Sequence, residues 1–336
     1  MESGRAALDL YRLIDGYKVT QAIHVAAVLG IADHIAAGAC TSEAIADAAG
    51  ADPDALYRLL RALASIGVLH EDEHRCFSLA PMGESLRSDA AHPLRPFAIL
   101  TGQDYYWRTW GQLLHSVRTG ENAFRAVHGV GSWTYREQHP DQNAIFNAAM
   151  TANSRLVNAS IVDAIGGEAY ARIADIGGGQ GALLTDLLHA RPTLRAVLFD
   201  RPSVVAEAVP LLAAGGVADR CDAVGGDMFD AVPAGCDAYV LKFIVHDWDD
   251  GDAVRILGVC RRAMAPGAEV LVIERIVGRG PDALRSTLSD LNMLVGPGGR
   301  ERTLDEYATL FEAAGLRLDR VMPTASGLSV MVGAAA

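Results

Sequence analysis

The sequence predicts an α/β protein, with a mostly parallel β-sheet in its second half and a helical N-terminal part before it. Two observations support this prediction. From residue 171 to the C-terminus, short apolar runs alternate with helix-like segments at the spacing of β-α-β units. Four glycines between residues 177 and 181 separate the first apolar run from the first helix-like segment, which is the form of a nucleotide-binding crossover.

Hydrophobic periodicity defines the elements of the second half. The predicted strands span 172–176, 195–199, 221–224, 237–243, 269–275, 317–323 and 327–333. The predicted helices span 181–190, 203–213, 250–264, 282–294 and 304–314. Because only a short glycine-containing link joins the last two strands, we expect them to form an antiparallel hairpin at one edge of the sheet.

The first 160 residues are predicted to be helical, and residues 41–90 have the pattern of a winged helix. Asp52 and Pro53 start a helix, with the acid as N-cap and proline at the first helical position. A winged helix raises the hypothesis of a DNA-binding regulator, but this segment holds four Arg against nine Asp and Glu, which would repel phosphates. We therefore predict two domains, a winged-helix-like one over 1–160 and an α/β one over 161–336.

Composition limits the class of protein. The net charge of the 336 residues is 29 − 41 = −12, which opposes nucleic acid as a general partner. The five cysteines are scattered and form no CxxC pair, so we expect a reducing compartment and no structural zinc. The sequence has neither a basic-then-apolar leader nor an apolar run of membrane length, and a cytoplasmic protein is the expectation.

The glycine turn fits two classes of ligand. A dinucleotide-binding loop has the spacing G-x-G-x-x-G/A, which Gly177, Gly179 and Ala182 satisfy. An S-adenosylmethionine loop has G-x-G-x-G, which Gly177, Gly179 and Gly181 satisfy equally. Spacing alone does not decide between the two, and a glycine-rich turn without any ligand is the structural alternative.

Two acidic residues at strand ends fit an adenosine better than two nucleotides. Asp200 ends the second strand, where a carboxylate can accept both ribose hydroxyls; the alternative is a helix-capping role. Asp227 follows the third strand, where it can accept the adenine amino group beside Met228 and Phe229. The alternative for Asp227 is an ordinary polar loop.

His246 stands just past the fourth strand, at the edge where open α/β sheets bind ligands. A metal site is the rival interpretation, because four acids follow between residues 247 and 252. The calcium-loop spacing fails at Gly251, and Asp249 fits better as the N-cap of the next helix. We therefore predict no metal.

The ordered motifs resemble those of a known family. They are Asp-Ile-Gly-Gly-Gly-Gln-Gly at 175–181, Phe-Asp-Arg-Pro at 199–202, Gly-Gly-Asp-Met-Phe at 225–229, Leu-Lys-Phe-Ile-Val-His-Asp-Trp at 241–248 and Gly-Gly-Arg-Glu-Arg-Thr at 298–303. Together they resemble the S-adenosylmethionine-dependent O-methyltransferases of the plant caffeate/hydroxyindole type and their bacterial relatives. The resemblance implies a Rossmann-like methyltransferase sheet and an N-terminal winged-helix-like dimerisation domain, hence a homodimer. The apolar segment 19–31 is more hydrophobic than one buried face requires, and it fits either the core or the subunit interface.

The resemblance also implies roles for individual residues. His246 would be the general base, flanked by Glu274 and Glu301. Cofactor contacts would come from Ser154, Gly177, Asp200, Arg201, Asp227, Met228, Phe229 and Lys242. The acceptor pocket would be lined by Trp133, Phe146, Asn147, Met150 and Met293.

The resulting prediction is methyl transfer from S-adenosylmethionine to a hydroxyl of a small aromatic molecule. Three alternatives stay open at this point: a nicotinamide-dependent dehydrogenase, a ligand-binding DNA regulator, and a relative that binds S-adenosylmethionine without methylating. The sequence does not name the acceptor or the hydroxyl that is methylated.

Overall fold

The computed structural model describes residues 2–280 and 283–336. The chain forms two compact units. The first comprises Met1–Arg108 and Pro140–Asn153, and the second comprises Thr109–His139 and Ser154–Ala336. These units follow from backbone contacts; the predicted division into functional domains at residue 160 stays a prediction.

The first unit is helical with a small hairpin. Its elements are α1 (Glu2–Ile14), α2 (Gly16–Val28), α3 (Ile31–Ala36), α4 (Ser42–Ala49), α5 (Pro53–Ser65), β1 (Leu69–Glu71), β2 (Phe77–Leu79), a 3-10 turn (Gly83–Leu86) and α6 (Arg95–Thr101). Asp52 caps α5 by accepting the Ala55 N–H at 2.8 Å, as predicted. The antiparallel pairing of β1 with β2 completes the predicted winged-helix-like arrangement.

One pair of cysteines disagrees with the expectation of a reducing compartment. Cys40, just before α4, and Cys76, beside β2, form a disulfide. The two residues are 36 positions apart, and their pairing follows from the approach of the hairpin to the start of α4, which local sequence does not reveal. Cys221, Cys236 and Cys260 are buried free thiols.

Further helices lead into the second unit. They are α7 (Asp104–Trp110), α8 (Leu113–Thr119), α9 (Ala123–His128), α10 (Ser132–Gln138) and α11 (Pro140–Ile165). The α/β part then comprises β3 (Arg172–Ile176), α12 (Ala182–Ala190), β4 (Arg195–Asp200), α13 (Pro202–Ala214), β5 (Cys221–Gly225), β6 (Ala238–Lys242), a 3-10 turn (Val245–Asp247), α14 (Asp250–Ala263), β7 (Glu269–Glu274), α15 (Leu284–Val295), α16 (Leu304–Ala313), β8 (Leu316–Pro323) and β9 (Ser329–Ala335).

These strands form a seven-stranded sheet in the order β5-β4-β3-β6-β7-β9-β8. Neighbouring strands from β5 to β7 are parallel, whereas β9 pairs antiparallel with both β7 and β8. The predicted hairpin at one edge is therefore confirmed, with β8 outermost. The polar ends of β3, β4 and β6 meet at one edge because parallel strands end on the same side.

Alternate residues of the central strands supply two hydrophobic cores, one on each face of the sheet. On one face, Ile173 and Val240 pack with Leu184 of α12. On the other, Ala174 and Tyr239 belong to the core that includes α14 and α16. Burial on both faces explains why the strands are nearly continuous apolar runs in the sequence.

Among the described helices, none combines the length and the apolar character needed to cross a bilayer.

Candidate active site

The glycine turn connects β3 to α12 and requires glycine at defined positions. Gly177, Gly179 and Gly181 have φ values of 71°, 59° and 79°, in the left-handed region that favours glycine. A Cβ on Gly177 would lie 2.3 Å from Cδ1 of Ile244. The turn therefore keeps a bare backbone beside the end of β6 and opens directly into the N-terminus of α12.

Asp200 holds this turn at the end of β4. Its Oδ2 accepts the N–H of Gly179 at 2.9 Å, and its Oδ1 accepts the N–H of Arg201 at 2.7 Å. Arg201, which makes no side-chain capping bond, is the N-cap of α13, so the helix-capping alternative for Asp200 is wrong. Each carboxylate oxygen retains a further lone pair, and this is the acceptor capacity that two ribose hydroxyls need.

The loop after β5 combines a hydrogen-bonded turn at Asp227 with two apolar side chains, Met228 and Phe229. Asp227 is exposed, and its Oδ1 accepts the N–H of Phe229 at 2.9 Å, which supports the local turn. Met228 and Phe229 are half-buried. The Phe229 ring meets Trp248 edge-on, with ring centroids 4.7 Å apart, so this loop reaches the turn that carries His246.

Lys242, the last residue of β6, is held by two residues of α11. Its Nζ donates to Ser154 Oγ at 2.8 Å and to Asn158 Oδ1 at 3.0 Å, and Asn158 in turn donates to Asp186 of α12 at 2.7 Å. Burial lowers the pKa of Lys242 to about 8, although the charges of Asp175 and Asp186 oppose that shift. Asn158 and Asp186 were not predicted from the sequence, and the i, i+4 spacing of Ser154 and Asn158 on α11 is the signal that could have found Asn158.

His246 and Glu301 form a buried pair beyond the carboxyl end of β6. The Nδ1 atom of His246 lies 2.9 Å from Oε1 of Glu301. The same carboxylate oxygen accepts the hydroxyl of Ser289 at 2.6 Å, and the Glu301 N–H donates to Asp290 at 2.9 Å. Since Nδ1 faces a carboxylate, it carries hydrogen in this pair. Nε2 lies 3.8 Å from Oδ1 of Asp247, beyond hydrogen-bond distance, and is the ring nitrogen that can exchange a proton with a ligand.

Glu274, at the end of β7, supports His246 in a different way. Its Oε1 accepts the main-chain N–H groups of Ile244 and His246 at 3.1 and 3.0 Å, and its Oε2 accepts the hydroxyl of Tyr307. Both predicted glutamates therefore lie beside His246, Glu301 at the ring and Glu274 at the backbone. Ser289 and Tyr307 were not predicted, because each belongs to a helix whose sequence carries no site motif.

The charges around His246 determine its protonation. Burial lowers the pKa of His246, but the carboxylates of Glu301, Glu274 and Asp247 outweigh that effect and raise the pKa to about 10. Burial raises the pKa of Glu301, yet the charge of His246 and hydrogen bonds from His246 and Ser289 bring it below its ordinary value. The site is thus a stabilised imidazolium–carboxylate pair.

Two further features fix the turn that carries His246. The fully buried Arg302 donates to the carbonyls of Val245 and Trp248 at 3.1 and 2.9 Å, and also binds Asp250. A Cβ on Gly299 would lie 2.1 Å from the carbonyl oxygen of His246, so the 299–302 segment can approach only because that residue is glycine.

The carboxylates and imidazole of the site are donors of the kind that bind metals. Within the described part of the chain, one atom each of His246, Glu274 and Glu301 lie within 4.8 Å of one another. Both oxygens of Glu274 already accept protein hydrogen bonds, so the trio is organised as a hydrogen-bond network. In the acidic run, Asp249 caps α14 by accepting the Asp252 N–H, as predicted.

The residues predicted to line the acceptor pocket fall into two groups. In the second unit, Trp133 of α10 stacks on Trp248, with centroids 6.4 Å apart, and Met293 is buried on α15. Arg201 forms an ion pair with Glu137 of α10 and lies over the Trp133 ring. Phe146, Asn147 and Met150 lie on the part of α11 that belongs to the first unit.

Comparison with known proteins places this geometry in a family. Residues 110–317 match the model of the O-methyltransferase domain, and residues 11–89 match the O-methyltransferase dimerisation domain. The first match covers more than half of the chain and contains the glycine turn, His246 and both glutamates.

Individual relatives extend over nearly the whole chain. A phenazine O-methyltransferase of Lysobacter antibioticus is 43% identical, covering 96% of this chain and 94% of the relative. Aclacinomycin 10-hydroxylase of Streptomyces purpurascens is 35% identical, covering 88% and 81%. The crystal structure of an O-methyltransferase from neocarzinostatin biosynthesis, in complex with S-adenosylmethionine and 2-hydroxy-5-methyl naphthoic acid, is 36% identical with a TM-score of 0.79, covering 95% and 96%.

The two domain matches and the alignments over whole chains agree with the sheet, the glycine turn and the helical N-terminal part described above. The cofactor that the sequence predicted is the one seen in the solved relative. The chain belongs to the S-adenosylmethionine-dependent O-methyltransferase family.

Proposed function

We propose that the enzyme transfers a methyl group from S-adenosylmethionine to a hydroxyl of a small aromatic acceptor, with His246 as the general base. The observation that carries the proposal is the buried His246–Glu301 pair, which leaves Nε2 of the imidazole available at the edge of the sheet where the glycine turn lies. Phe243, whose ring stacks on that of His246 with centroids 5.6 Å apart, supplies a flat apolar surface next to it.

The residues present fit the cofactor. The left-handed glycine turn leaves the backbone bare, and nothing lies within 4 Å of a Cβ built on Gly179. We assign Asp200 to the ribose, Asp227 with Met228 and Phe229 to the adenine, and Gly177 to the methionine end. Arg201, Ser154 and Lys242 complete the proposed cofactor site. When bound, S-adenosylmethionine supplies an electrophilic methyl group.

The protein's own contribution is to orient the acceptor and to accept its proton. A phenol has an ordinary pKa of about 10, so little phenolate exists at neutral pH. Neutral His246 can take that proton at Nε2 while Nδ1–H remains bonded to Glu301, which stabilises the resulting imidazolium. A base with a pKa of about 10 matches the phenol, and the proton transfer is then close to balanced.

Replacement of the base tests this proposal. We expect His246→Ala to leave S-adenosylmethionine affinity nearly unchanged in calorimetry and to lower turnover by about 10²-fold or more. His70→Ala, at an exposed position on β1, is the control and is expected to keep full turnover. Dialysis against EDTA is expected to leave turnover intact. Near-normal turnover in His246→Ala, or a loss in EDTA that magnesium restores, would contradict the assignment.

The acceptor class follows from the surroundings of the base and from the relatives. The relatives act on or bind planar aromatic molecules, a phenazine in one case and a hydroxynaphthoic acid in another. The stacked rings of Trp133 and Trp248 make this region flat and apolar. We assign Trp133, Phe146, Asn147, Met150 and Met293 to the acceptor pocket. A screen of hydroxylated aromatic compounds, with products detected by mass spectrometry, is expected to identify acceptors that gain one methyl group.

One relative favours a second candidate. Aclacinomycin 10-hydroxylase shares 35% identity with this chain, so the family scaffold also supports oxygenation. The two activities differ in product mass, because methylation adds CH2 whereas hydroxylation adds one oxygen atom. Products that gain oxygen and no CH2 would favour the second candidate.

We also propose a homodimer, based on the dimerisation-domain match over residues 11–89. A cytoplasmic location is proposed from the sequence alone, and the Cys40–Cys76 disulfide is a feature that disagrees with it.

A further inference from the structure

A tyrosine outside the predicted site contacts one of its carboxylates. Tyr307 is the fourth residue of α16, and its side chain is fully buried. Its hydroxyl donates to Oε2 of Glu274, whose Oε1 accepts the main-chain N–H groups of Ile244 and His246. A chain of direct hydrogen bonds thus leads from α16, through the end of β7, to the backbone of the proposed base.

We propose that Tyr307 is a positioning residue for methyl transfer: its hydroxyl bond keeps Glu274 a carboxylate against the turn that carries His246 and so sets the protonation of that base. The proposal rests on the proposed function, in which His246 accepts the proton of the acceptor. Tyr307 itself has no direct contact with the imidazole among the hydrogen bonds of the described residues.

The electrostatics of Glu274 explain why one hydroxyl matters. Burial raises the pKa of Glu274, and the charge of Glu301 raises it further, while the charge of His246 and the Tyr307 hydrogen bond lower it. The net pKa of Glu274 is raised, and loss of the Tyr307 donor raises it further toward the protonated form. The pKa of Tyr307 is raised well above 10 by its burial and by Glu274 and Glu301, so its hydroxyl remains a donor at every pH of interest.

Loss of the negative charge on Glu274 lowers the pKa of His246. An ionised Glu274 is one of the groups that raise the pKa of His246 to about 10. If Glu274 becomes neutral, the imidazolium loses that support and gives up its proton at lower pH. The substitution leaves the other charged groups around this cluster unchanged. They include Glu301, Asp247 and Arg302 beside Glu274 and His246, and Arg275, Asp290 and Arg136 one contact further out.

The chain offers a matched control. Tyr239 is also fully buried, in the core to which Tyr307 belongs, and its hydroxyl donates to the carbonyl of Ala263 at 2.8 Å. Tyr239→Phe and Tyr307→Phe each remove one hydroxyl bond from the same core. They differ in the acceptor, which is a helix carbonyl for Tyr239 and the site carboxylate for Tyr307.

The test is an NMR titration of the full-length enzyme with 13Cε1-labelled histidine, in which the His246 signal is assigned by its loss in His246→Ala. We expect Tyr307→Phe to lower the His246 midpoint by about one pH unit or more, and Tyr239→Phe to leave it unchanged. Glu274→Gln should lower the midpoint as well, and adding Tyr307→Phe to it should cause no further shift. In turnover, the ascending limb of the pH–rate profile should move by the same amount.

Two results would overturn the inference: a Tyr307→Phe midpoint equal to that of Tyr239→Phe, or a full further shift in the double variant. Thermal melting of each variant identifies any that fail to fold, and Glu274→Gln then tests the same link independently. If His246→Ala retains turnover, the base assignment fails, whereas the titration still reports whether Tyr307 controls the protonation of His246.

Discussion

At the scale of residues, the site depends on which hydrogen-bond donor each carboxylate oxygen of Glu274 and Glu301 binds. Glu301 directs one oxygen to the imidazole, and Glu274 directs both of its oxygens to other donors. Both acids therefore act on His246 through their negative charge. They differ in contact, since Glu301 binds the imidazole ring and Glu274 binds the main-chain N–H. Sequence motifs identified both glutamates, whereas Ser289 and Tyr307 depend on the packing of α15 and α16 against them.

The first residue-scale prediction concerns the pH dependence that Glu301 imposes. The pKa of His246 is raised to about 10, so the active neutral base accumulates only as pH rises, and turnover should increase with pH through the alkaline range. Glu301→Gln removes the charge that contributes most to this raised pKa. We expect its ascending limb to move to lower pH by about one unit or more, with maximal turnover reduced about tenfold or more because the imidazolium loses its partner.

Stability provides a second readout of the same pair. A raised folded-state pKa means that protonated His246 stabilises the fold fully below the ordinary value of about 6.5 and that this contribution is lost as pH rises toward about 10. Urea unfolding at several pH values should show this decline in the wild type and a smaller one in Glu301→Gln. Identical pH dependence in both proteins would contradict the ion pair.

At the scale of elements, most of the α/β half could be predicted from sequence. The predicted strands and helices lie within two residues of the described bounds, because each strand is a buried apolar run and several helices carry capping residues such as Asp249 and Thr303. The predicted start of one helix, residue 282, lies outside the described residues. The 3-10 turn that carries His246 and the bridge between Ile276 and Arg302 could not be predicted. Both depend on segments far apart in the chain, which local periodicity does not report.

The disulfide of the first unit also joins residues far apart in the chain, and it leads to a prediction about the stability of the protein. Cys40 and Cys76 close a loop with a separation of 36 residues. A loop of that length is worth about 3–4 kcal/mol of unfolding free energy in the chain-entropy model. We expect a reductant to lower the free energy of unfolding of the wild-type protein by about 3–4 kcal/mol, as measured by chemical denaturation. The Cys76→Ser variant already lacks the disulfide, so the reductant should leave its stability unchanged. Equal effects of reductant on both proteins would argue against the disulfide.

At the scale of the whole molecule, family membership could be predicted but the acceptor could not. The family motifs lie in the turns at the carboxyl ends of the strands, where the cofactor and base residues must be of fixed type. The candidate pocket residues lie instead on helices, where aromatic and sulfur-containing side chains are equally common in cores. The sequence also left open how the apolar N-terminal segment is used, since a core and a subunit interface require the same composition.

The first unit has a row of exposed apolar side chains on α1, and this row leads to a prediction about the dimer. On α1, Leu10, Leu13 and Ile14 are exposed at helical spacing, and Leu13 is 79% exposed. Exposed apolar side chains in such a row indicate a surface that another protein covers, and the dimerisation-domain match includes the end of this helix. Light scattering should therefore give about twice the 35.6 kDa of one chain.

A charge placed in that row should separate the subunits. Leu13→Glu would bury a carboxylate at the proposed interface, and we expect a monomer at micromolar concentration. Leu114→Glu is the matched control: Leu114 is a similarly exposed leucine on α8, outside the matched dimerisation domain, and its substitution should leave the dimer intact. A wild-type monomer, or dissociation caused equally by both substitutions, would contradict an interface built on α1. If part of the acceptor site depends on the partner subunit, Leu13→Glu should also lower turnover at unchanged S-adenosylmethionine affinity, which calorimetry on the same sample measures.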